Sequence, residues 1–228
     1  MRRKAIPSQR HEAKLVLPRT LLYRLDMWLR VHEAEFDPVY QPRWVNNLYF
    51  DTENFATLAE AIEGTGRRVK VRLRWYGQQQ PITDGGLEFK CKAGNLGWKH
   101  RFPIATSLDL TRPWREILAS LHAALPPEQR IIFRHADRPA LINRYHRTYH
   151  ISFDRAVRIT IDQHLRAWSQ VTGLRPNLTR CQPHDDLIVI EFKAEHKATA
   201  LLRDAIHALG CRIDKHSKYA TGMTGTLL

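Results

Sequence analysis

Cysteine is scarce in this chain of 228 residues: Cys91, Cys181 and Cys211 are the only three. They are odd in number and far apart, so they outline neither a disulfide framework nor a metal knuckle, and a reducing, cytoplasmic setting is expected. No apolar run approaches the roughly 20 residues that span a bilayer, so no transmembrane segment is expected. The basic start, Met1-Arg2-Arg3-Lys4, is not followed by the apolar stretch of a secretory signal. There is no Gly-rich phosphate loop of the Walker type, so any nucleotide must be bound by side chains. Repeats, low-complexity segments and long linkers are also lacking, and residues 1–228 read as a single domain. His146 and His150 can share a strand face and His184 precedes Asp185-Asp186, but no third ligand stands at zinc spacing. Ser217 and the cysteines have no evident base beside them, which argues against a covalent nucleophile.

Acidic residues are in deficit as well. Lysine and arginine number 36 against 23 acids, a formal charge of +13. Such an excess favours polyanionic partners: nucleic acid, anionic lipid or polyphosphate. Apolar content is ordinary at 43%, which excludes a disordered basic tail.

The chain reads as strands with helices between them. Strands are expected at 10–17, 44–51, 67–76, 87–92, 98–104, 140–153, 156–162 and 187–193, and helices at 18–31, 54–63, 114–125 and 197–209. Short links favour antiparallel pairing, and the fold class is α+β. Residues i and i+2 of a strand point the same way. In 68–76, Arg68, Lys70, Arg72 and Arg74 therefore share one face and Val69, Val71, Leu73 and Trp75 the other. Glu88, Lys90 and Lys92 oppose Leu87, Phe89 and Cys91, while Lys99 and Arg101 oppose Trp98 and Phe102. Glu12 and Lys14, then Arg158 and Asp162, then Glu191 and Lys193 repeat the arrangement on three more strands.

A single alternating strand usually means one wet sheet face. Six of them, with lysine and arginine at consecutive same-face positions, mean like charges lined up on neighbouring strands, which repel. A ligand or counter-ions must occupy that face, or the sheet curls with the basic face inward and the amphipathic helices outside. Glu12, Glu88 and Glu191 share the charged faces. Carboxylates beside bound phosphate suit Mg²⁺ or Mn²⁺, though they can equally neutralise adjacent lysines. Glu191 is the better candidate, because its strand is otherwise apolar on both sides.

At these residues the sequence resembles the triphosphate tunnel metalloenzymes (the CYTH-like superfamily), and more closely the vacuolar transporter chaperone (VTC) domain, the polyphosphate polymerase branch. The ordered matches run from Arg10-His11-Glu12-Ala13-Lys14 and Asn47-Leu48-Tyr49-Phe50-Asp51-Thr52 to Lys70-Val71-Arg72-Leu73-Arg74-Trp75-Tyr76-Gly77. Leu87-Glu88-Phe89-Lys90-Cys91-Lys92, Tyr145-His146-Arg147, Val157 to Asp162, Glu191-Phe192-Lys193 and Ser217-Lys218-Tyr219 with Gly222 complete the set. The resemblance implies a closed antiparallel β-barrel, a tunnel with a basic interior, in which the terminal phosphoryl of a nucleoside triphosphate, ATP, passes to a growing polyphosphate chain. It implies that Arg72, Arg74, Lys90, Lys99, Arg147 and Arg158 grip phosphates and that Glu191 holds Mn²⁺ or Mg²⁺. Lys215 and Lys218, near the closing C-terminal segment, would contact nucleotide or phosphate chain. Lys14, Lys70, Lys92, Arg101 and Lys193 extend the phosphate-binding set, and Glu12 and Glu88 the metal set. A membrane-protein partner receiving the product is compatible with this reading.

The triphosphatase signature Glu-x-Glu-x-Lys departs here, because Arg10 takes the place of its first glutamate. Losing that acid removes a metal ligand and a means of positioning water, which favours transfer over hydrolysis. Arg147 shares its face with Tyr145 and Tyr149. The alternatives are a tri- or polyphosphatase or nucleoside triphosphatase of the same fold, and a non-catalytic polyphosphate-binding module. Nucleic acid is not expected as a partner, since the basic residues alternate within strands while Trp75 and Trp98 lie on the opposite face.

Overall fold

Period-two patterning becomes a mainly antiparallel sheet in the computed structural model. The structure describes residues 10–94, 96–104, 107–184, 186–195, 200, 203, 206–207, 209, 213–214 and 216–227. In chain order the elements are β1 (Arg10–Pro18), α1 (Leu22–Val31), β2 (Asp37–Asp51), α2 (Ala56–Glu63), β3 (Arg67–Tyr76), β4 (Gly85–Ala93) and β5 (Leu96–Pro103). They continue with α3 (Trp114–Ala123), α4 (Pro127–His135), β6 (Arg138–Ile151), β7 (Val157–Ser169), β8 (Gln182–His184), β9 (Leu187–Glu195) and a last helix, α5 (Lys218–Leu227). The hydrogen-bonded order is β1-β9-β7-β6-β2-β3-β4-β5, with β8 on β7. Among the described residues no helix is long and apolar enough to cross a membrane.

The expected antiparallel α+β fold is present, but the expected closure is not: β1 and β5 are the two ends of the strand path. β5 is exposed at almost every position and carries Lys99, His100 and Arg101 before Pro103. Charge and proline on an edge strand disfavour a further pairing.

The chain divides into two compact units. The first comprises Met1–Arg43, His146–Leu165 and Asp185–His216. In it β9 lies between β1 and β7, with Lys14 opposite Glu191 and Glu191 opposite Thr160. The other face of these strands, Leu15, Leu17, Ile159, Ile161, Ile188, Ile190 and Phe192, packs with Leu25 and Leu29 of α1. Full burial of one such side chain contributes about 1.5–3 kcal/mol, so this apolar face anchors the charged one.

The second unit comprises Trp44–Tyr145, Arg166–His184 and Ser217–Leu228. Here β2, β3, β4 and β5 pair antiparallel in sequence order. Their apolar face, including Leu48, Phe50, Val71, Leu73, Trp75, Leu87 and Phe89, forms one core with Ile117 and Leu121 of α3 and Phe133 of α4. A smaller cluster joins Tyr49, Leu58 of α2, Leu141, Ala167 and, from α5, Tyr219 and Met223.

Several elements differ from expectation, among them α5 and β8. Pro126-Pro127 ends α3 but also starts α4, since proline suits the first helical position, where no amide donor is needed. β2 begins at Asp37, through an exposed stretch whose two prolines masked it as a loop. β7 continues past Asp162 to Ser169: the polar pair Gln163-His164 interrupts the apolar run, yet Leu165 and Ala167 keep the odd-position burial of Val157, Ile159 and Ile161. The expected helix at 197–209 lies largely outside the described residues.

Candidate functional site

In the second unit the charged face of β3 is bordered on both sides. Arg72 stands between Tyr49 of β2 and Glu88 of β4, and Arg74 between Asn47 and Gly86. Lys70, Lys90 and Lys99 form a row across three strands, Arg101 lies opposite Glu88, and Lys92 opposite Arg68. Glu88 is the acid at the centre. Its side chain is 3% exposed and accepts Arg72 Nε at 2.9 Å, Arg72 Nη2 at 2.7 Å and Lys99 Nζ at 3.1 Å. Burial works to raise the carboxyl pKa, but Arg72 and Arg74 outweigh it and bring it from 4.5 to about 2. Burial likewise opposes the Arg72 charge, yet Tyr49 and Glu88 hold that guanidinium above the ordinary arginine range.

Arg74 is fixed by Nε donating to Asn47 Oδ1 at 2.7 Å and Nη2 donating to Tyr145 Oη at 3.2 Å. Asn47 is itself oriented by Nδ2 donating to Asn143 Oδ1 at 2.8 Å. A Cβ on Gly86 would sit 2.7 Å from Arg101 Nε, so glycine there lets Arg101 cross β4. The row is therefore preorganised, its guanidinium directions set before any ligand arrives.

The helix α5 attaches to this row. Ser217 caps it, accepting the Ala220 amide at 3.3 Å, and its Oγ also accepts Lys70 Nζ at 3.2 Å. Lys218 Nζ lies 4.9 Å from the Tyr145 ring centroid. Tyr219 stacks on Tyr49 at 5.1 Å and its hydroxyl donates to Asp51 Oδ2. Burial and that bond to Asp51 push the Tyr219 phenol pKa well up, so it stays a donor. Asp51 also accepts the amides of Thr57 and Leu58 at 2.8 and 3.0 Å, at the N-terminus of α2. The Ser-Lys-Tyr motif thus ties the chain's last helix to the basic row.

The first unit carries a second charged strip. Glu12 and Lys14 of β1, Glu191 and Lys193 of β9, and Arg158, Thr160 and Asp162 of β7 alternate with the core residues. Lys14 pairs with Glu12 at 2.6 Å and Lys193 with Glu191 at 2.6 Å. Arg147 of β6 grips buried Asp162 with two bonds of 2.5 and 2.7 Å, which fixes its side chain on this strip. Glu191 is nearly buried; burial works to raise its pKa, but Lys193, Lys14 and Arg147 hold it far below the ordinary carboxylate range. Arg158 is exposed, opposite Lys193.

The expected residues thus fall into two groups. Arg72, Arg74, Lys70, Lys90, Lys92, Lys99, Arg101, Lys218 and Glu88 belong to the second unit, while Lys14, Arg147, Arg158, Lys193, Glu12 and Glu191 belong to the first. Lys215 lies outside the described residues. Among the described residues no three His, Cys, Asp or Glu side chains converge as a metal site. The oxygens of Glu88 are taken by two cations, which suits a structural ion pair. Glu12 and Glu191 are likewise paired, with Lys14 and Lys193, and Mg²⁺ is usually held by one or two carboxylates with the remaining oxygens from phosphate and water.

The sequence pattern gave no role to several supporting residues: Tyr49, Asn47, Asn143, Asp51 and Thr160. Asn47 and Asp51 follow the period-two rule of β2 and were legible as same-face neighbours of Tyr49. Thr160 has a shielded Oγ1 with no hydrogen-bond partner among the described residues, and it lies opposite Glu191.

The family model for the VTC domain matches residues 9–226, nearly the whole chain. The chain belongs to the VTC domain family. No curated protein matches it. Among solved structures it resembles HpAC1 from Hippeastrum, an adenylyl cyclase candidate described as having a dominant triphosphatase activity. That likeness has a TM-score of 0.53 at 15% identity and covers 95% of this chain and 96% of the other. A proposed adenylate cyclase of Vibrio parahaemolyticus aligns with a TM-score of 0.49 at 12% identity, covering 94% and 97%. The VTC match spans both charged strips and the Ser217–Gly222 motif of α5.

Proposed function

We propose that this VTC domain transfers the terminal phosphoryl of ATP to a growing inorganic polyphosphate chain. Membership of the VTC domain family supports an enzyme acting on phosphates. The observation that carries the reading is the row of fixed cations on β3 to β5, in which Glu88, the acid at its centre, is already neutralised. Such a row has charge to spare for a polyanion and repels a cationic substrate.

Phosphoryl transfer needs positioning and charge neutralisation more than covalent help. A terminal phosphate oxygen of the chain attacks the γ-phosphorus. The bond from that phosphorus to the β,γ-bridging oxygen breaks, ADP leaves, and the chain is longer by one phosphate. Arg72 and Arg74, held by Glu88, Asn47 and Tyr145, supply donors whose directions are already set. Lys70, Lys90, Lys92, Lys99, Arg101 and Lys218 hold the flanking phosphates. In the first unit Lys14, Arg158 and Lys193 would bind phosphate along their own strip, Arg147 acts with Asp162, and Glu191 with Glu12 would hold the divalent cation, Mn²⁺ or Mg²⁺. When bound, that cation neutralises charge developing on the transferred group.

Hydrolysis, the activity described for HpAC1, is the second reading. It needs a water positioned for attack, and Arg10 stands where the triphosphatase signature has an acid. Incubation of the purified protein with ATP and Mn²⁺ separates the two. Acid-stable phosphate chains on a gel support transfer. Free phosphate alone supports hydrolysis, and binding of polyphosphate without turnover supports a non-catalytic module.

A further inference from the structure

We propose that Tyr40, Arg43 and Tyr149 form a stacking seat for a nucleobase beside the charged strip of the first unit, so that the base of a nucleoside triphosphate adds to its binding. The proposal rests on the phosphate-handling reading above. It joins two features that the apolar cores do not account for. β2 runs through a largely exposed stretch, Asp37–Arg43, before its buried part begins at Val45. Tyr149 follows Arg147 by two residues in β6, so the two side chains share the charged face of that strand. Neither Tyr40 nor Tyr149 belongs to an apolar cluster of the described residues.

The two features meet within the first unit. Arg43 Nε donates to Tyr149 Oη at 2.9 Å, and its guanidinium carbon lies 5.2 Å from the Tyr149 ring centroid. The Tyr40 and Tyr149 rings stand at 87° to one another with centroids 5.4 Å apart. Tyr40 is 59% exposed and Arg43 is exposed as well. The result is a small fixed group of rings and one guanidinium that faces water and adds nothing to a core. Such flat surfaces attract a base, since every base has a π-face and a guanidinium stacks on it too. The position suits a nucleotide. Residues i and i+2 of a strand are about 6–7 Å apart, and Arg147, already fixed by Asp162, is a proposed phosphate ligand. A nucleotide with its phosphate at Arg147 therefore carries its ribose toward Tyr149 and its base onto the cluster. Stacking reads the face of a base and not its edge. The seat accordingly favours purine over pyrimidine by ring area and treats adenine and guanine nearly alike.

Calorimetric titration of the intact protein tests this with two probes, a non-hydrolysable ATP analogue and inorganic tripolyphosphate, each with Mn²⁺. Tyr149→Ala should weaken the ATP analogue on the order of tenfold, the scale of one lost base stack, and leave tripolyphosphate where it is. Tyr149→Phe keeps the ring and loses only the bond from Arg43, so it should keep most of the affinity for the analogue. Circular dichroism checks that each variant is folded, and Tyr40→Ala, at an exposed ring, takes the place of Tyr149→Ala if that variant is not. Equal weakening of both probes overturns the proposal and makes the cluster a fastener between β2 and β6. Unchanged binding of both probes by the folded variant overturns it too, as does a wild type that binds tripolyphosphate but not the ATP analogue. In those three outcomes the phosphate-handling reading stands. A wild type that binds neither probe overturns that reading and the proposal with it.

Discussion

At the scale of single residues, Arg72 is both a proposed phosphate ligand and the counter-charge of Glu88. Glu88 is buried with a side-chain exposure of 3%, and Arg72 is its bidentate partner. Arg72→Ala therefore removes a proposed phosphate ligand and also strips a buried carboxylate of its main counter-charge. Breaking a buried pair costs about 3–5 kcal/mol, and Lys99, which remains, lowers this to roughly 2–3 kcal/mol. Urea unfolding should show that loss, and Arg72→Ala/Glu88→Gln should recover most of it without recovering activity. The Glu88 carboxyl also makes stability depend on pH. Its pKa falls on folding from 4.5 to about 2, so its contribution is complete above the higher value and is lost as pH drops through the lower one. The stability gap between wild type and Glu88→Gln should accordingly shrink as pH falls from 4.5 to about 2. A gap that stays constant there would mean that the Arg72 pairing does not set this carboxyl.

At the scale of elements, α5 is the least expected part and the one tied most directly to the basic row. Ser217, Lys218 and Tyr219 were legible as a motif, but the helix was not. Gly222 and Gly225 lower helix propensity, and Ser217 is recognisable as a cap only once Ala220 is seen to donate to it. Gly222 has a packing reason: a Cβ there would lie 2.5 Å from Leu141 Cδ2 and 3.5 Å from Ala167 Cβ. Gly222→Ala should overpack this buried contact at about 1–3 kcal/mol, with faster hydrogen exchange across α5 as the local readout. Tyr219→Phe should cost about 1 kcal/mol, because Asp51 keeps its bonds to the α2 amides. β3, by contrast, was legible residue by residue. Strict alternation over Arg67–Tyr76 fixed both faces, and Trp75 is 2% exposed in the core while Arg72 and Arg74 lie on the charged side. The same alternation misled at β5, where Phe102 packs against the core but Trp98 stays 43% exposed.

At the scale of the whole molecule, the sequence pattern revealed the charge but not its partners. Six strands with basic faces implied a polyanion, and this followed from period and charge alone. Which acids were free to act did not follow. Glu12, Glu88 and Glu191 look alike in an alternating strand, and only the folded chain shows which cations grip each of them: Lys14, Arg72 with Lys99, and Lys193. Closure was also beyond local pattern, since it depends on whether two edge strands of distant sequence meet. The excess of fixed cations predicts that affinity for long polyphosphate falls steeply with salt, as for other polyanion sites. The central claim, that the chain builds polyphosphate, is tested most directly by supplying ATP labelled with radioactive phosphorus at either the α or the γ position, with Mn²⁺. Label from the γ position alone should enter acid-stable chains that a polyphosphate-specific exopolyphosphatase degrades. Release of that label only as free phosphate, with no chains formed, would contradict the account.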